Sequence, residues 1–594
     1  MPKYNIEINY NRDNYLSEFS KKTLEDRYMI DGELSPQDAF ARAACAFADN
    51  TAHAQRLYDY ASKLWFMFST PILSNGGTNR GLPISCFLNY VDDSREGITG
   101  HYTENAFLSS AGGGVGGCWS GVRSVGSKTS AGSESTGVIP FLKVVDAEML
   151  AFSQGVTRRG SYAAYLDMSH PEIEEFLDVR KPTGGDINRK STNLHHGVMI
   201  GDDFMKLIEA ATLNAGFDDA WPLIDPHTGA TKKVVSAKTL WVKLIQNRVE
   251  TGEPYVVFRD TVDAAVPEYQ KNMGLKVHQS NLCSEITLPT DKDRTAVCCL
   301  SSVNLEEFDE WKNNTQFIPD LVRMLDNVLT FFIETAPDQL SRAVYSATQE
   351  RSVGLGAMGF HAYLQRQNIP FESPMAKGRN MIMFKRIKEE AVRETQQLAI
   401  ERGECPDGRG YGVRNAHLMA VAPNASSSII CGNTSPSIEP YRANAFTQKT
   451  KSGSSLLKNE YLENILQDLG QDTDEVWKSI ITNSGSVQHL DFLDDWTKDV
   501  FKTAVEIDQK WVIEMAGDRQ EFICQSQSLN VFFPANVSKQ ELHAVHMMAW
   551  KKKVKTLYYL RSEAYKRAEN VSDEALRKYI FDSLDDEGCL ACEG

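Results

Sequence analysis

The spacing of apolar positions changes character along the chain. Behind Ser35-Pro36, the residues Phe40, Ala44 and Phe47 fall on one helical stripe and Asp38 sits in the first turn. A helix therefore starts there, with a serine cap and proline in its preferred first position. A second helix is expected to reach Trp65. The helical period stops at Ser69-Thr70-Pro71, because proline drives its predecessor toward extended backbone, and this places a boundary near residue 68. Downstream, short runs rich in β-branched and aromatic residues alternate with helical stretches. Residues 239–250 read as helix and Tyr255–Phe258 as strand; 296–303 read as strand and 320–334 as helix. That alternation predicts an α/β architecture. The glycine- and serine-rich stretch 112–137, which opens on Gly112-Gly113-Gly114-Val115-Gly116-Gly117, reads as loops. So does 181–194, with Gly184-Gly185, ahead of a strand-like 197–200. Residues 579–594 form an acidic run and then Gly588-Cys589-Leu590-Ala591-Cys592-Glu593-Gly594, the pattern of a mobile tail.

Composition narrows the classes. With 594 residues, 42% hydrophobic and 24% charged, the chain can bury a sizeable core and is neither a small binding module nor a disordered or fibrous protein. A formal net charge of −16, from 63 Lys and Arg against 79 Asp and Glu, repels a phosphate backbone and argues against a polynucleotide partner. Small nucleotides remain possible ligands. The first residues, 1–12, hold no apolar run, so no signal peptide is expected, and nothing approaches the roughly 20 apolar residues of a membrane span. The cysteines are odd in number, eleven, and dispersed, which fits a reducing cytoplasm better than a secreted disulfide scaffold. A disulfide in that setting is more often transient and catalytic than structural.

The sharpest chemical feature is Asn281-Leu282-Cys283-Ser284-Glu285. In an extended segment, residues two apart project to one side, so an amide, a thiol and a carboxyl would share a pocket. That set offers hydrogen bonding, a reactive sulfur and a general base. The alternative is a buried structural cysteine in a polar loop. Cys86 and Cys298 lie in apolar, strand-like contexts. Cys589 and Cys592 have the C-x-x-C spacing of a reversible disulfide. A zinc half-site competes with that reading, without a second ligand pair to complete it. The stretch Lys555-Thr556-Leu557-Tyr558-Tyr559-Leu560-Arg561 reads as a strand. Its adjacent phenols are either ordinary strand aromatics or stepping stones for an electron and a proton. Pro423-Asn424-Ala425-Ser426-Ser427-Ser428 supplies hydroxyls and backbone N–H groups for an anion-binding turn ahead of a helix, without a P-loop lysine. The run from Gly112 to Gly117 lacks a dinucleotide fingerprint, and His195-His196 is read as ordinary.

In order along the chain, these segments resemble the large, α subunit of class I ribonucleotide reductase. The pieces that carry the resemblance are Ser69-Thr70-Pro71-Ile72, Ser85-Cys86, Asn281 to Glu285, Cys298-Cys299-Leu300-Ser301, Pro423 to Ser428 with Ile438-Glu439-Pro440, Gln525-Ser526-Gln527-Ser528, Tyr558-Tyr559 and the terminal cysteine pair. The resemblance implies a ten-stranded α/β barrel over 69–578, after a small helical region over 1–68, with a redox-active tail over 579–594. It implies that Cys283, on a finger loop at the barrel's centre, becomes a thiyl radical and removes the 3′ hydrogen of a ribonucleoside diphosphate. Glu285 would take the 3′-hydroxyl proton, Asn281 would hold the ribose hydroxyls, and Cys86 and Cys298 would supply two reducing equivalents. Cys589 and Cys592 would exchange with the resulting disulfide and be reduced by thioredoxin or glutaredoxin. Tyr558 and Tyr559 would relay oxidation from a separate small, β subunit carrying an iron or manganese dimetal site, so that the chain itself needs no metal.

Further implied roles follow the same motifs. Thr70, Ser85, Asn424, Ala425, Ser426, Ser427 and Ser428 would hold the substrate, chiefly its phosphates. Asp93, Ser94 and Arg123 would bind a deoxynucleotide or ATP effector with Mg²⁺ at a homodimer interface, and residues 184–190 would link effector to substrate base. Three departures qualify the match. Few residues precede Ser69, so the ATP-cone of many relatives is not expected, as in a compact viral form working in host cytoplasm. Cys299 adjoins Cys298, and a strand would point the two in opposite directions. Ala425 stands where some relatives have an acidic residue, which bears on di- versus triphosphate preference. Two alternatives remain: a cobalamin-dependent reductase, against which Tyr558-Tyr559 argues, and an inactive nucleotide-binding homologue, against which the retained thiols and Glu285 argue. A glycyl-radical motif is not found near the C-terminus.

Overall fold

Pro36–Ala46 is helical in the computed structural model, which describes residues 3–84, 86–152, 160–214, 216–450 and 453–562. Ser35 caps it: its hydroxyl accepts from the Gln37 amide at 3.1 Å, and Asp38 accepts from the Ser35 amide at 3.1 Å. The next helix, Thr51–Ser62, stops short of Trp65, where Leu64 takes a φ of 60° and turns the chain. Pro71 does not end helical structure. It sits in the first turn of a short helix, Thr70–Asn75, where a missing N–H leaves no bond unmade.

Fifteen strands are described. In chain order they are β1 (Phe66–Phe68), β2 (Cys86–Tyr90), β3 (Gly114–Cys118), β4 (Ser161–Asp167), β5 (His195–Ile200), β6 (Ala220–Ile224), β7 (Thr231–Ser236), β8 (Tyr255–Phe258), β9 (Ala296–Asn304) and β10 (Val353–Met358). There follow β11 (Ala445–Thr450), β12 (Gly453–Lys458), β13 (Val531–Phe533), β14 (Thr556–Leu557) and β15 (Leu560–Ser562). One curled sheet runs β1-β9-β2-β3-β4-β5-β8-β14, with β10 also paired to β9. Its ends meet. Leu355 of β10 bridges Met419 in parallel, Val421 bridges Gln527 in parallel, and the Tyr558 amide donates to Leu529 at 2.8 Å. Ten staves thus close a barrel: β9, β2, β3, β4, β5, β8 and β14, then 525–529, 418–422 and β10. The five staves β2, β3, β4, β5 and β8 run parallel to one another, and both β9 and β14 run antiparallel to this half. Amphipathic helices cover the outside. Phe317–Thr335 lies on β9 and β10, and Pro374–Arg402 lies behind it. No helix among the described residues is long and apolar enough to cross a membrane.

The glycine-rich stretch is only partly loop. Gly114–Cys118 is the fully buried stave β3, and its glycines make room rather than turns. A Cβ on Gly116 would come within 1.9 Å of the Ser280 carbonyl oxygen, and one on Gly117 within 1.6 Å of the Tyr162 hydroxyl. Residues 279–290, all buried, pass at that point through the middle of the barrel. They touch staves on several sides: Gln279 donates to Asn89 at 2.9 Å, Tyr165 donates to the Asn281 carbonyl at 2.6 Å, and the Ser526 amide donates to the Glu285 carbonyl at 2.9 Å.

Replacing Gly116 by Ala therefore forces the inner loop and β3 apart, a cost of about 1–3 kcal/mol. The thermal midpoint of Gly116→Ala should fall below that of the parent. Gly378→Ala, on a helix with nothing within 4 Å, should leave the midpoint unchanged or raise it.

Candidate functional site

The segment Asn281 to Glu285 is a turn at the tip of the inner loop, not the extended run that its spacing suggested. Ser284 adopts a φ of 69°, which brings the side chains of Asn281 and Glu285 together, Nδ2 donating to Oε1 at 2.9 Å. The Ile286 amide donates to Asn281 Oδ1 at 3.1 Å and fixes which way the side-chain amide faces. Cys283, fully buried, packs in an apolar cluster with Tyr165, Tyr255, Tyr558 and Tyr559. Its sulfur is disulfide-bonded in this structure. Chemistry at Cys283 therefore belongs to its reduced form.

Cys86 and Cys298 are directly opposed partners on antiparallel staves β2 and β9. They share a second apolar cluster with Ile286, Leu288 and Ala420. Asn281 and Glu285 bridge toward this pair: Cys86 Sγ lies 3.4 Å from Asn281 Nδ2 and 3.8 Å from Glu285 Oε1. Gln525 Nε2 lies 3.7 Å from Cys298 Sγ. Cys299 points the other way, as strand alternation requires, and donates to the Leu325 carbonyl at 3.3 Å on the barrel's outside.

Burial governs the titration of these groups. Glu285 is pushed up to about 7 by desolvation, against the opposing hydrogen bonds from Asn281, Ser528 and Cys86. Desolvation also holds the Cys298 and Cys299 thiols well above their ordinary range. At neutral pH these sulfurs keep their protons, which suits donation of hydrogen or of two reducing equivalents rather than thiolate attack.

Tyr558 and Tyr559 interrupt the strand expected across 555–561. Thr556–Leu557 pairs with β8 and Leu560–Ser562 with β13, and the two tyrosines sit at the changeover. Their ring centroids are 4.2 Å apart. Tyr255, which the sequence reading passed over, lies 4.7 Å from Tyr558 and 5.1 Å from Tyr559. His195 and His196 are not incidental either: both bind the carboxylate of buried Glu253, at 2.6 and 3.0 Å, beside Arg180. His195 Nδ1 also lies 3.3 Å from the Tyr559 hydroxyl. Arg180 and the two histidines hold Glu253 well below the usual carboxylate range, against its burial.

Asn424, at a φ of 54°, opens the short helix Ala425–Ile430, with Ser426, Ser427 and Ser428 buried along it. Its side chain is tied down: Nδ2 donates to Ala357 and Ala422, and Oδ1 accepts from Ser302 at 2.9 Å. This helix packs against β1, which leads into Thr70, and Thr70 Oγ1 lies 3.1 Å from the Tyr28 hydroxyl. The buried hydroxyls of Ser69, Ser427 and Ser437 meet no hydrogen-bond partner among the described atoms. Asp93 and Arg123 form a separate group beyond the end of β2. The Arg123 Nε lies 2.9 Å from the Asp93 carboxylate, and Ser94 caps the helix Arg95–Ser110. In the segment 184–190, Arg189 is held by Glu175 at 2.5 and 2.7 Å. Ser85, Cys589 and Cys592 lie outside the described residues.

A family model for "Ribonucleotide reductase, barrel domain" matches residues 84–409 and 406–560, and one for "Ribonucleotide reductase, all-alpha domain" matches 15–81. The chain is 49% identical over 544 residues to a putative ribonucleoside-diphosphate reductase large subunit of Frog virus 3, covering 91% of this chain and 92% of that one. It is 44% identical over 640 residues to the ribonucleoside-diphosphate reductase large subunit of Invertebrate iridescent virus 3, covering 99% and 100%. Among solved structures, the class Id ribonucleotide reductase alpha subunit of Actinobacillus ureae superposes with a TM-score of 0.80 at 36% identity, covering 92% of this chain and 97% of that one.

Directly opposed antiparallel residues have Cα atoms about 4.5–5.5 Å apart, within the span a disulfide bridges. A mild oxidant should therefore close a Cys86–Cys298 bond, read by peptide mapping under non-reducing conditions, while Cys299 remains alkylatable after unfolding. Capture of Cys299 in place of Cys298 would contradict the facing assigned to β9.

Proposed function

The chain belongs to the ribonucleotide reductase large-subunit family, and we propose that it reduces ribonucleoside diphosphates to 2′-deoxyribonucleoside diphosphates, precursors for DNA, by radical chemistry at Cys283. The observation that carries this reading is one carboxyl, Glu285, held with Asn281 between the Cys283 cluster and the opposed Cys86–Cys298 pair. The ribose would lie against that carboxyl and amide. A Cys283 thiyl radical would take the 3′ hydrogen, and Glu285, in its ionised form, would accept the 3′-hydroxyl proton. The 2′-hydroxyl would leave as water, Cys86 and Cys298 would give two electrons and two protons and close a disulfide, and Cys283 would return the hydrogen to C3′. Burial serves this sequence by keeping solvent from the sulfur radical.

Oxidation would reach Cys283 from Tyr559 through Tyr558, whose ring centroids are 4.2 Å apart with the planes inclined at 53° and which share the Cys283 cluster. Its source would be a small subunit with an iron or manganese dimetal site, of the helix-bundle carboxylate type. Thr70, Ser85 and 424–428 would hold the diphosphate, a role favoured by the partnerless hydroxyls of Ser69 and Ser427. Asp93 and Arg123, half-buried and paired, offer one carboxylate and one guanidinium, charges suited to Mg²⁺ and to the phosphates of a nucleotide effector. Cys589 and Cys592 would reduce the Cys86–Cys298 disulfide and be regenerated by thioredoxin or glutaredoxin. A homodimer in a host cell's cytoplasm is the proposed setting.

The test is turnover of CDP by the full chain with a class I small subunit, an effector and thioredoxin. Activity should require the small subunit, and Cys283→Ser should abolish it while effector binding persists. Turnover with adenosylcobalamin in place of the small subunit would overturn the subclass. Cys589→Ser should permit a first turnover and stop thioredoxin-driven cycling; an undiminished steady-state rate would remove the tail from the mechanism.

A further inference from the structure

The hydroxyl oxygen of Ser528, fully buried on the 525–529 stave, lies 2.5 Å from the carbonyl oxygen of Cys283 and 2.9 Å from Oε2 of Glu285. A hydroxyl carries one proton and so donates to one of these oxygens at a time. While Glu285 holds a proton, its own O–H on Oε2 can donate to Ser528 Oγ, and the serine proton serves the Cys283 carbonyl. Once Glu285 is ionised, Oε2 can only accept. The serine proton then turns to the carboxylate, and the Cys283 carbonyl loses this donor.

We propose that Ser528 is a positioning residue that couples the ionisation of Glu285 to the anchoring of the loop tip that carries Cys283. Further hydrogen bonds hold the rest of the tip. Glu285 Oε1 accepts from Asn281 at 2.9 Å, and the Asn281 carbonyl accepts from Tyr165 at 2.6 Å. The Ser284 carbonyl lies 2.8 Å from the Thr556 hydroxyl, which is equally near the Gln527 carbonyl, and the Ser528 amide donates to Val421 at 2.8 Å. The Cys283 carbonyl is the contact at the tip whose donor is shared with an ionisable group. The titratable groups that face Glu285 are Cys86 from β2, Cys298 from β9 and Tyr165 from β4. Cys298 and Tyr165 are themselves pushed up, chiefly by burial, and remain neutral through the neutral range. The hydroxyl's rotation is thus set by Glu285. In turnover, loss of the carboxyl proton would loosen the tip just as Glu285 becomes competent as a base.

This inference rests on Glu285 being the base proposed above. It is tested by the pH profile of CDP reduction with the full chain, small subunit and effector. The parent should show an acid limb near 7. A charge-assisted bond from Ser528 favours the carboxylate, so Ser528→Ala should move that limb to higher pH by about one unit and lower the maximal rate about tenfold. Ser528→Thr, which keeps the hydroxyl, should restore both. An acid limb unmoved in Ser528→Ala, at whatever rate, would overturn the coupling, because lost packing alone does not shift a titration. If Ser528→Ala turns over too slowly, infrared titration of the buried carboxyl in the same chain reads the same shift. The two readings separate through Glu285→Gln. Activity with an intact acid limb in that variant would refute the base, whereas an inactive Glu285→Gln beside an unmoved Ser528→Ala limb would refute only the coupling.

Discussion

A loop can run through the middle of a barrel only if the staves give way to its backbone and supply partners for its buried polar groups. Both conditions are met here, and the site depends on them. Gly116 gives the space, because any side chain there would occupy the position of the Ser280 carbonyl. Tyr165, Ser526, Thr556 and Ser528 supply the partners, each meeting a main-chain carbonyl or amide of the loop within hydrogen-bond distance. A buried peptide group left without a partner costs about as much as a lost hydrogen bond, so the loop's path is prescribed group by group.

That confinement sets the chemistry. The same burial that excludes water raises Glu285 to about 7 and keeps the neighbouring Cys298 thiol protonated. The carboxyl is therefore poised near neutrality while the Cys298 thiol beside it stays neutral. There is a stability consequence. The folded state binds the Glu285 proton more tightly than the unfolded state does, so this group's contribution is complete below the unfolded carboxyl value of about 4.3 and is lost as pH rises through about 7. The ionised form, in which the proposed base would act, is the one that the fold holds less well.

Much of this was legible in the residues, though not always through the right geometry. The helix behind Ser35, the strand–helix alternation and the opposite facing of Cys298 and Cys299 follow from local chemistry and periodicity. The grouping of Asn281 with Glu285 was read from an extended spacing, whereas a turn at Ser284 produces it. Gly114 to Gly117 looked like loop because glycine usually marks turns. Their role as a stave became visible only once the inner loop was seen to need their missing side chains. The strand across 555–561 breaks at the tyrosines because its two halves pair with different neighbours, a long-range choice that strand propensity does not encode. Glu253 lies 57 residues from His196 in sequence, so nothing local revealed that the histidine pair holds a buried carboxylate beside Tyr559.

In the proposed reaction the sulfur at position 283 meets the 3′ carbon of the sugar. A crystal structure of the reduced full chain with CDP and an effector tests it most directly. Cys283 Sγ should lie about 3–3.5 Å from C3′, with Glu285 on the 3′-hydroxyl and Cys86 near the 2′ position. A bound CDP whose ribose lies away from the loop tip, with Cys283 shielded from it by protein, would contradict the account.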